Sequence, residues 1–179
     1  MEYSWCGLIK GYLMMNNKIK LFAIILLGSV VNTGCQKAEP IQIKSNASNL
    51  EAERLYNEGR KLYLGNDVNI DYKRAFNNIG KSASMGNIRA QNDLGQMYYD
   101  GTGTNRDFKN AYFWFEKAAN QGDPAALYNL GVMYKKGGYL QQSDTKAFYY
   151  FNKSANKGFI DAKYALANAY FKGGVLTRM

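Results

Sequence analysis

The chain has no histidine and only two cysteines, Cys6 and Cys35, both near the amino terminus. Without histidine, Ser-His-Asp and Cys-His catalysis are excluded, and most zinc sites lose their usual ligand. Downstream of Cys35 no disulfide can form, so helix packing alone must hold whatever folds there. Strand-like alternation of apolar and polar residues is also missing, which leaves an all-α reading without a competitor. The apolar run from Leu21 to Val31 falls short of the ~20 residues that span a bilayer.

What the chain has instead is an echo of period 36. Gly59, Gly95 and Gly131 are 36 apart, as are Ala75, Ala111 and Ala147, and Lys81, Lys117 and Lys153. Self-similarity at that period marks a repeat protein, whose stacked units build an extended surface rather than an enclosed catalytic pocket. Within a repeat, Ala90, Leu94, Met97 and Tyr98 fall at offsets of 0, 4, 7 and 8, and Ala111, Trp114, Phe115, Ala118 and Ala119 at 0, 3, 4, 7 and 8. Each set lines one face of a helix, so each repeat is two helices. Asp71, Asp107 and Ser143 share a column just before the second helix, where a short side-chain oxygen can cap free N–H groups. Asp123-Pro124 supplies a cap and a first-turn proline for another first helix. Gly95 and Gly131 stand inside helices, where glycine costs about 1 kcal/mol against alanine, so close helix contact is expected there.

The runs Ala90-x3-Leu94-Gly95-x-Met97-Tyr98-x2-Gly101-x-Gly103 and Ala111-x2-Trp114-Phe115-x-Lys117-Ala118-Ala119-x-Gln121-Gly122 closely resemble the Sel-1-like repeat, a relative of the tetratricopeptide repeat. The resemblance covers roughly residues 50 to 175. It implies a right-handed α-solenoid of about three and a half helix-turn-helix repeats, at about 52–87, 88–123, 124–159 and a half repeat at 160–179. It also implies a partner-binding role, with no shared catalytic residue and no cofactor. The first copy is degenerate, with Glu58 in the column of Leu94 and Leu130 and Ile79 in that of Phe115, as suits an amino-terminal cap.

The amino terminus addresses the protein. Lys18 and Lys20 precede the apolar run, which has the length of a signal-peptide core and ends at Asn32-Thr33-Gly34-Cys35. Small residues before a cysteine resemble a bacterial lipoprotein cleavage box, although Asn32 stands where an aliphatic residue is usual. Residues 1–35 are therefore expected to be a leader and signal peptide, with synthesis starting at Met14 or Met15 and Cys35 lipidated. Residues 36–49, polar and with Pro40, read as a tether, and 50–179 as the folded domain. Gln36 rather than Asp after the cysteine leans toward the outer membrane, on the periplasmic side. Residues 36–179 hold 20 Lys+Arg and 13 Asp+Glu, a net of +7. For an exported protein that basic balance points to anionic lipid or an acidic protein surface rather than nucleic acid.

Motifs for chemistry dissolve on inspection. Gly80-Lys81-Ser82 looks like the end of a phosphate-binding loop, but Ala75 stands where that motif needs glycine and the triplet falls inside a helix. Gly101 to Asp107 is an interhelical turn. Glu116 and Asp100 form no recognisable acid/base pair, and no metal site suggests itself. The informative residues are aromatic. Tyr98, Tyr134, Tyr170, Trp114, Phe115 and Phe151 occupy columns expected to be buried. Roughly opposite the core stripe of the first helices lie Tyr56, Arg60 and Tyr63; Asn92, Gln96 and Tyr99; Tyr128, Val132 and Lys135; and Tyr164, Asn168 and Phe171. Stacking would align them as a strip on the concave wall, with the residue types that protein interfaces favour. The alternative is that these side chains pack between neighbouring first helices.

The expected function is thus a lipid-anchored envelope scaffold that binds a protein partner. Family resemblance adds two alternatives: a periplasmic immunity protein neutralising a secreted phospholipase effector, and a cell-envelope hydrolase of the kind attributed to disulfide-rich members.

Overall fold

The computed structural model describes residues 41–173 except Asp67, and side chains over 46–171. Seven helices and no strands occur among the described residues: α1 (Ile41–Leu64), α2 (Tyr72–Ser84), α3 (Ile88–Asp100), α4 (Phe108–Asn120), α5 (Pro124–Lys136), α6 (Asp144–Asn156) and α7 (Ile160–Gly173). They pair as α1/α2, α3/α4 and α5/α6, with α7 opening a fourth unit, and the chain is an all-α repeat solenoid. Cys35 and the leader, residues 36–40 and the last six residues lie outside the described residues.

Local chemistry explains where each helix starts. The side chains of Asp71, Asp107 and Ser143 accept from the backbone N–H three residues on, as their column suggested. Asp123 caps α5 ahead of Pro124, and Asn87, which fills the same column one repeat earlier, caps α3. Each such cap contributes about 1 kcal/mol. At the far end of α3, Gly101 takes φ +77° and returns its N–H to Met97, a left-handed stop open to glycine without a Cβ penalty.

Helix pairing turns on one glycine per repeat. A Cβ on Gly59, Gly95 or Gly131 would lie 2.6 Å from Ile79, Phe115 or Phe151 respectively. The first helix therefore yields its propensity so that the second can press a large side chain against bare backbone. Phe115 is 1 % exposed as a result, and burial of a ring that size is worth about 1.5–3 kcal/mol, more than the ~1 kcal/mol that glycine forgoes. Around these contacts sit Ala75, Ala111 and Ala147 from the second helices and Leu94, Met97, Leu130 and Met133 from the first, all buried.

Two expectations change and one is met. The stretch 36–49 is not a tether throughout: α1 begins at Ile41, so its described part rises about 1.5 Å per residue instead of the ~3.3–3.6 Å of an extended chain. The first copy is a complete helix pair. Ile79 fills the aromatic column at 1 % exposure, and Glu58 costs nothing because it is exposed and pairs with Arg54. Tyr170 is 44 % exposed rather than buried, since no described helix packs on the side of α7 where α4 and α6 cover α3 and α5. Tyr98 and Trp114 are half-buried.

Candidate partner-binding face

The first helices α1, α3, α5 and α7 carry the aromatic and polar strip, and its two ends differ. At the amino end the side chains bind one another. The Tyr56 hydroxyl donates to Asp93 Oδ2 at 3.0 Å, Arg60 Nη1 reaches the same oxygen at 3.3 Å, and Asn92 donates to Oδ1 at 3.4 Å. Asn129 of α5 then donates to Asn92 at 3.0 Å, so a polar ladder runs from α1 through α3 to α5. Tyr56 is consequently buried and not part of an accessible strip, with the Arg89 guanidinium 4.8 Å over its ring. Burial, reinforced by the Asp93 carboxylate, pushes the Tyr56 hydroxyl up to about 12. Desolvation also raises Asp93 above its ordinary range, outweighing the attraction of Arg60. Asp93 and Asn129 hold this interface, and sequence reasoning had placed neither in the strip. Their column, Asn57, Asp93, Asn129 and Ala165, is polar in three copies, a signal that was present.

The middle of the strip is half-buried. Tyr63 packs edge-on against Tyr72, and Gln96 donates to Asp100. Tyr99 meets Phe108 edge-on at 5.2 Å, and Lys136 Nζ lies 5.4 Å over its ring. Tyr128 lies between Phe151 and Phe159, with ring centroids 5.5 and 5.4 Å away. For Tyr56, Asn92, Tyr99 and Tyr128, packing between neighbouring helices is thus a large part of the role. At the carboxyl end Lys135 pairs with Asp144 at 2.8 Å, while Asn168 is exposed, Tyr164 is 68 % exposed and Phe171 88 %.

Clefts follow the seams between successive first helices. Between α1 and α3 there is a small one of about 80 Å³ within the strip, lined by Arg60, Tyr63, Asp93 and Gln96, and one of about 410 Å³ at the other end of the seam, beside Glu53, Asn87 and Arg89. Between α3 and α5, Tyr99, Tyr128, Val132 and Lys136 enclose about 320 Å³. Between α5 and α7 the cleft grows to about 710 Å³, floored by Tyr128, Val132, Ala147, Phe148, Phe151 and Ala165 and edged by Lys135, Lys136, Asp144 and Asn168. Of the strip residues, Tyr128, Val132, Lys135 and Asn168 line the α5–α7 cleft. The side chains suited to chemistry are occupied: Ser82 donates to Ala52 O at 2.5 Å, Glu116 accepts from Tyr112 at 2.7 Å, and Asp100 accepts from Gln96. Among the described residues no cluster of three or more potential metal ligands occurs.

The Sel1 repeat profile matches residues 55–87, 88–123, 124–159 and 160–178. No curated protein sequence matches the chain. Among solved structures, c5321, a protective antigen present in uropathogenic Escherichia coli strains displaying an SLR fold, is 30% identical with a TM-score of 0.65, over 76% of this chain and 29% of its own. A Sel1 repeat protein from Oxalobacter formigenes is 29% identical with a TM-score of 0.66, over 76% of this chain and 53% of its own. Helicobacter pylori cysteine rich protein B shares the fold at 22% identity and a TM-score of 0.53, over 70% of this chain and 90% of its own. This chain accordingly spans about a third and about half of the first two relatives. Sel1 repeat proteins are in general protein-interaction scaffolds and typically non-catalytic. With four consecutive copies matched and each complete repeat pressing a large apolar side chain against its helix glycine, the chain belongs to the Sel1 repeat family.

Proposed function

We propose that the protein is a non-catalytic scaffold that holds a protein partner along its first-helix face, with the partner's apolar side chains seated between α5 and α7. The α5–α7 cleft carries this reading, because it combines an apolar floor of about 710 Å³ with a charged rim and neighbouring exposed aromatics. Such a combination of buried anchors and polar rim is how protein interfaces concentrate their energy. The protein works at the periplasmic side of the cell envelope, anchored through an acyl group on Cys35. Support for the address is the short apolar run ending at Gly34-Cys35.

The test begins with a pull-down from envelope extract, followed by affinity measurement on the recovered protein. Val132→Arg in the cleft and Phe171→Ala beside it should each weaken binding about thirtyfold, the equivalent of 2 kcal/mol, with the helical spectrum unchanged. A partner that binds both variants as tightly as wild type would remove the cleft from the reading. If the partner is a secreted phospholipase whose activity falls on addition of the protein, the scaffold is specifically an immunity protein. For the anchor, Cys35→Ala should release or mislocalise the protein. An intact mass lacking acyl groups, or retaining residues upstream of Cys35, defeats it.

A further inference from the structure

The second helices form a separate surface with its own pattern. Taking Ala111 and Phe115 as the buried side of α4, residues 113 and 117 fall on the opposite side at 100° per residue, and the same holds for 149 and 153 in α6. There Phe113 is 50 % exposed and Tyr149 52 %. One turn on, Lys117 Nζ lies 5.9 Å over the Phe113 ring and 5.0 Å over Trp114, and Lys153 Nζ lies 4.8 Å over Tyr149. The first copy keeps the lysine as Lys81, with Asn77 in the aromatic column.

Charge separates this layer from the other. Helices α2, α4 and α6 contain seven Lys+Arg and two Asp+Glu, a net of +5; the four first helices contain nine and six, a net of +3 over more residues. Both acids of the second layer are engaged, Glu116 by Tyr112 and Asp144 by Lys135 of a first helix. The ion pairs among the described residues include none of its seven cations, all of which are exposed. Asp71 and Asp107 flank the layer but spend an oxygen on capping.

We propose that the outer face of α2, α4 and α6 is a membrane-docking surface that rests on anionic phospholipid headgroups. Lys81, Lys117 and Lys153 meet the phosphates, and Phe113 and Tyr149 enter the interfacial layer beside them. Lysine stems extend along apolar surface while their ammonium groups reach for anions, and amphipathic aromatic rings settle at headgroup depth. Lysines near such a surface are attracted to it over about a Debye length. The period of the solenoid brings an aromatic-lysine pair to the same side in the second and third repeats, and Lys81 continues the lysine column into the first. This surface shares no helix layer with the proposed partner cleft, so either assignment can fail alone.

Vesicle co-sedimentation decides it, with the mature chain from residue 35 carrying Cys35→Ser so that neither an acyl group nor the apolar run Leu21–Val31 contributes. Mixed phosphatidylglycerol/phosphatidylcholine vesicles should retain the protein and release it as salt rises; phosphatidylcholine alone should retain much less. The double variant Lys117→Gln/Lys153→Gln should bind the anionic vesicles about tenfold more weakly or worse. Lys61→Gln/Lys163→Gln, which removes equal charge from the first layer, should change binding less than twofold. Phe113→Ala/Tyr149→Ala should weaken binding while leaving the salt dependence intact. Equal loss in the two lysine doubles would reduce the effect to net charge and overturn the docking face. Retention on immobilised polyglutamate without retention on vesicles would overturn the lipid assignment in favour of an acidic protein.

Discussion

Tyr56 and Tyr164 occupy one column of the repeat, three copies apart, yet the first is 8 % exposed and the second 68 %. The following first helix explains the contrast at the two tyrosines, since α3 covers Tyr56 with Arg89 and Asp93 whereas no described helix follows α7. The neighbouring column explains how the seams themselves differ. Between α1 and α3, Asp93 offers a carboxylate that ties down Tyr56, Arg60 and Asn92; between α3 and α5, Asn129 extends the ladder; in α7 the corresponding residue is Ala165, which can bond nothing. One side chain per repeat thus separates a seam latched by polar contacts from one that opens into an apolar cleft. A solenoid can in this way keep its internal packing constant while varying what each seam does.

If the inside is common to both ends, damage to it should not depend on position. Gly95→Ala and Gly131→Ala both push a methyl group to within 2.6 Å of a phenylalanine ring. Overpacking of that kind costs about 1–3 kcal/mol, enough to cancel the ~1 kcal/mol of regained helix propensity and more. Each variant should lower the melting temperature by roughly 5 °C. The same column in α7 holds Ala167, which is exposed. Ala167→Gly should therefore cost only the propensity difference of about 1 kcal/mol. Stability unchanged in Gly95→Ala but not in Gly131→Ala would show that the two ends pack differently after all.

The next effect tests the latch itself. Asp93→Ala leaves the Tyr56 hydroxyl without its acceptor and removes the anion that Arg60 and Asn92 address. A cost of about 1–3 kcal/mol is expected, set mainly by the desolvated hydroxyl, and it should appear as a lower denaturation midpoint. Tyr56→Phe in the Asp93→Ala background should recover part of it, because a missing hydroxyl needs no partner. No loss in Asp93→Ala would mean that water already serves these groups and the seam is not latched.

The period of 36, the two-helix repeat, the cap column and the reason for glycine inside helices could all be read from residues, because each rests on local spacing. What resisted reading was the burial of the strip. A helical wheel places Tyr56 and Tyr164 identically; only stacking reveals that α3 roofs one of them with Arg89. Tyr170 failed as a core residue for the same reason, since its column is covered where a second helix is described to follow, as α4 follows α3 and α6 follows α5. The start of α1 at Ile41 escaped because the mostly polar residues 44–49 have no apolar stripe to announce a helix.

Acidity offers a finer probe of the amino-end seam. Desolvation holds Asp93 above its ordinary range in the folded protein, while in the unfolded chain it titrates near ~3.9. Between those two values the native state binds the extra proton, so this group's contribution to stability falls as pH rises through the window and is regained on acidification. The stability of wild type relative to Asp93→Asn should therefore shift in favour of wild type as pH drops from neutral toward about 4. Thermal midpoints of the pair across that range test it. Parallel curves would show Asp93 to be effectively solvated, and a trend of opposite sign would show that the Arg60 ion pair governs it.

The smallest expected change is at the open end. Phe171 is 88 % exposed and Tyr164 68 %, so neither contributes much apolar burial in the free protein. Phe171→Ala and Tyr164→Ala should alter folding stability by no more than about 0.5 kcal/mol, as is usual for exposed positions away from caps and strained backbone. That near-neutrality is what gives the binding measurement its meaning: an affinity loss from either variant cannot then be ascribed to unfolding. The contrast with Tyr56 follows directly, because Tyr56→Ala would empty a buried site and strip Asp93 of a donor. If Phe171→Ala instead lowered the melting temperature by several degrees, the ring would be core in solution. The carboxyl-end cleft would then be closed by α7 itself, and the difference between the two ends would vanish.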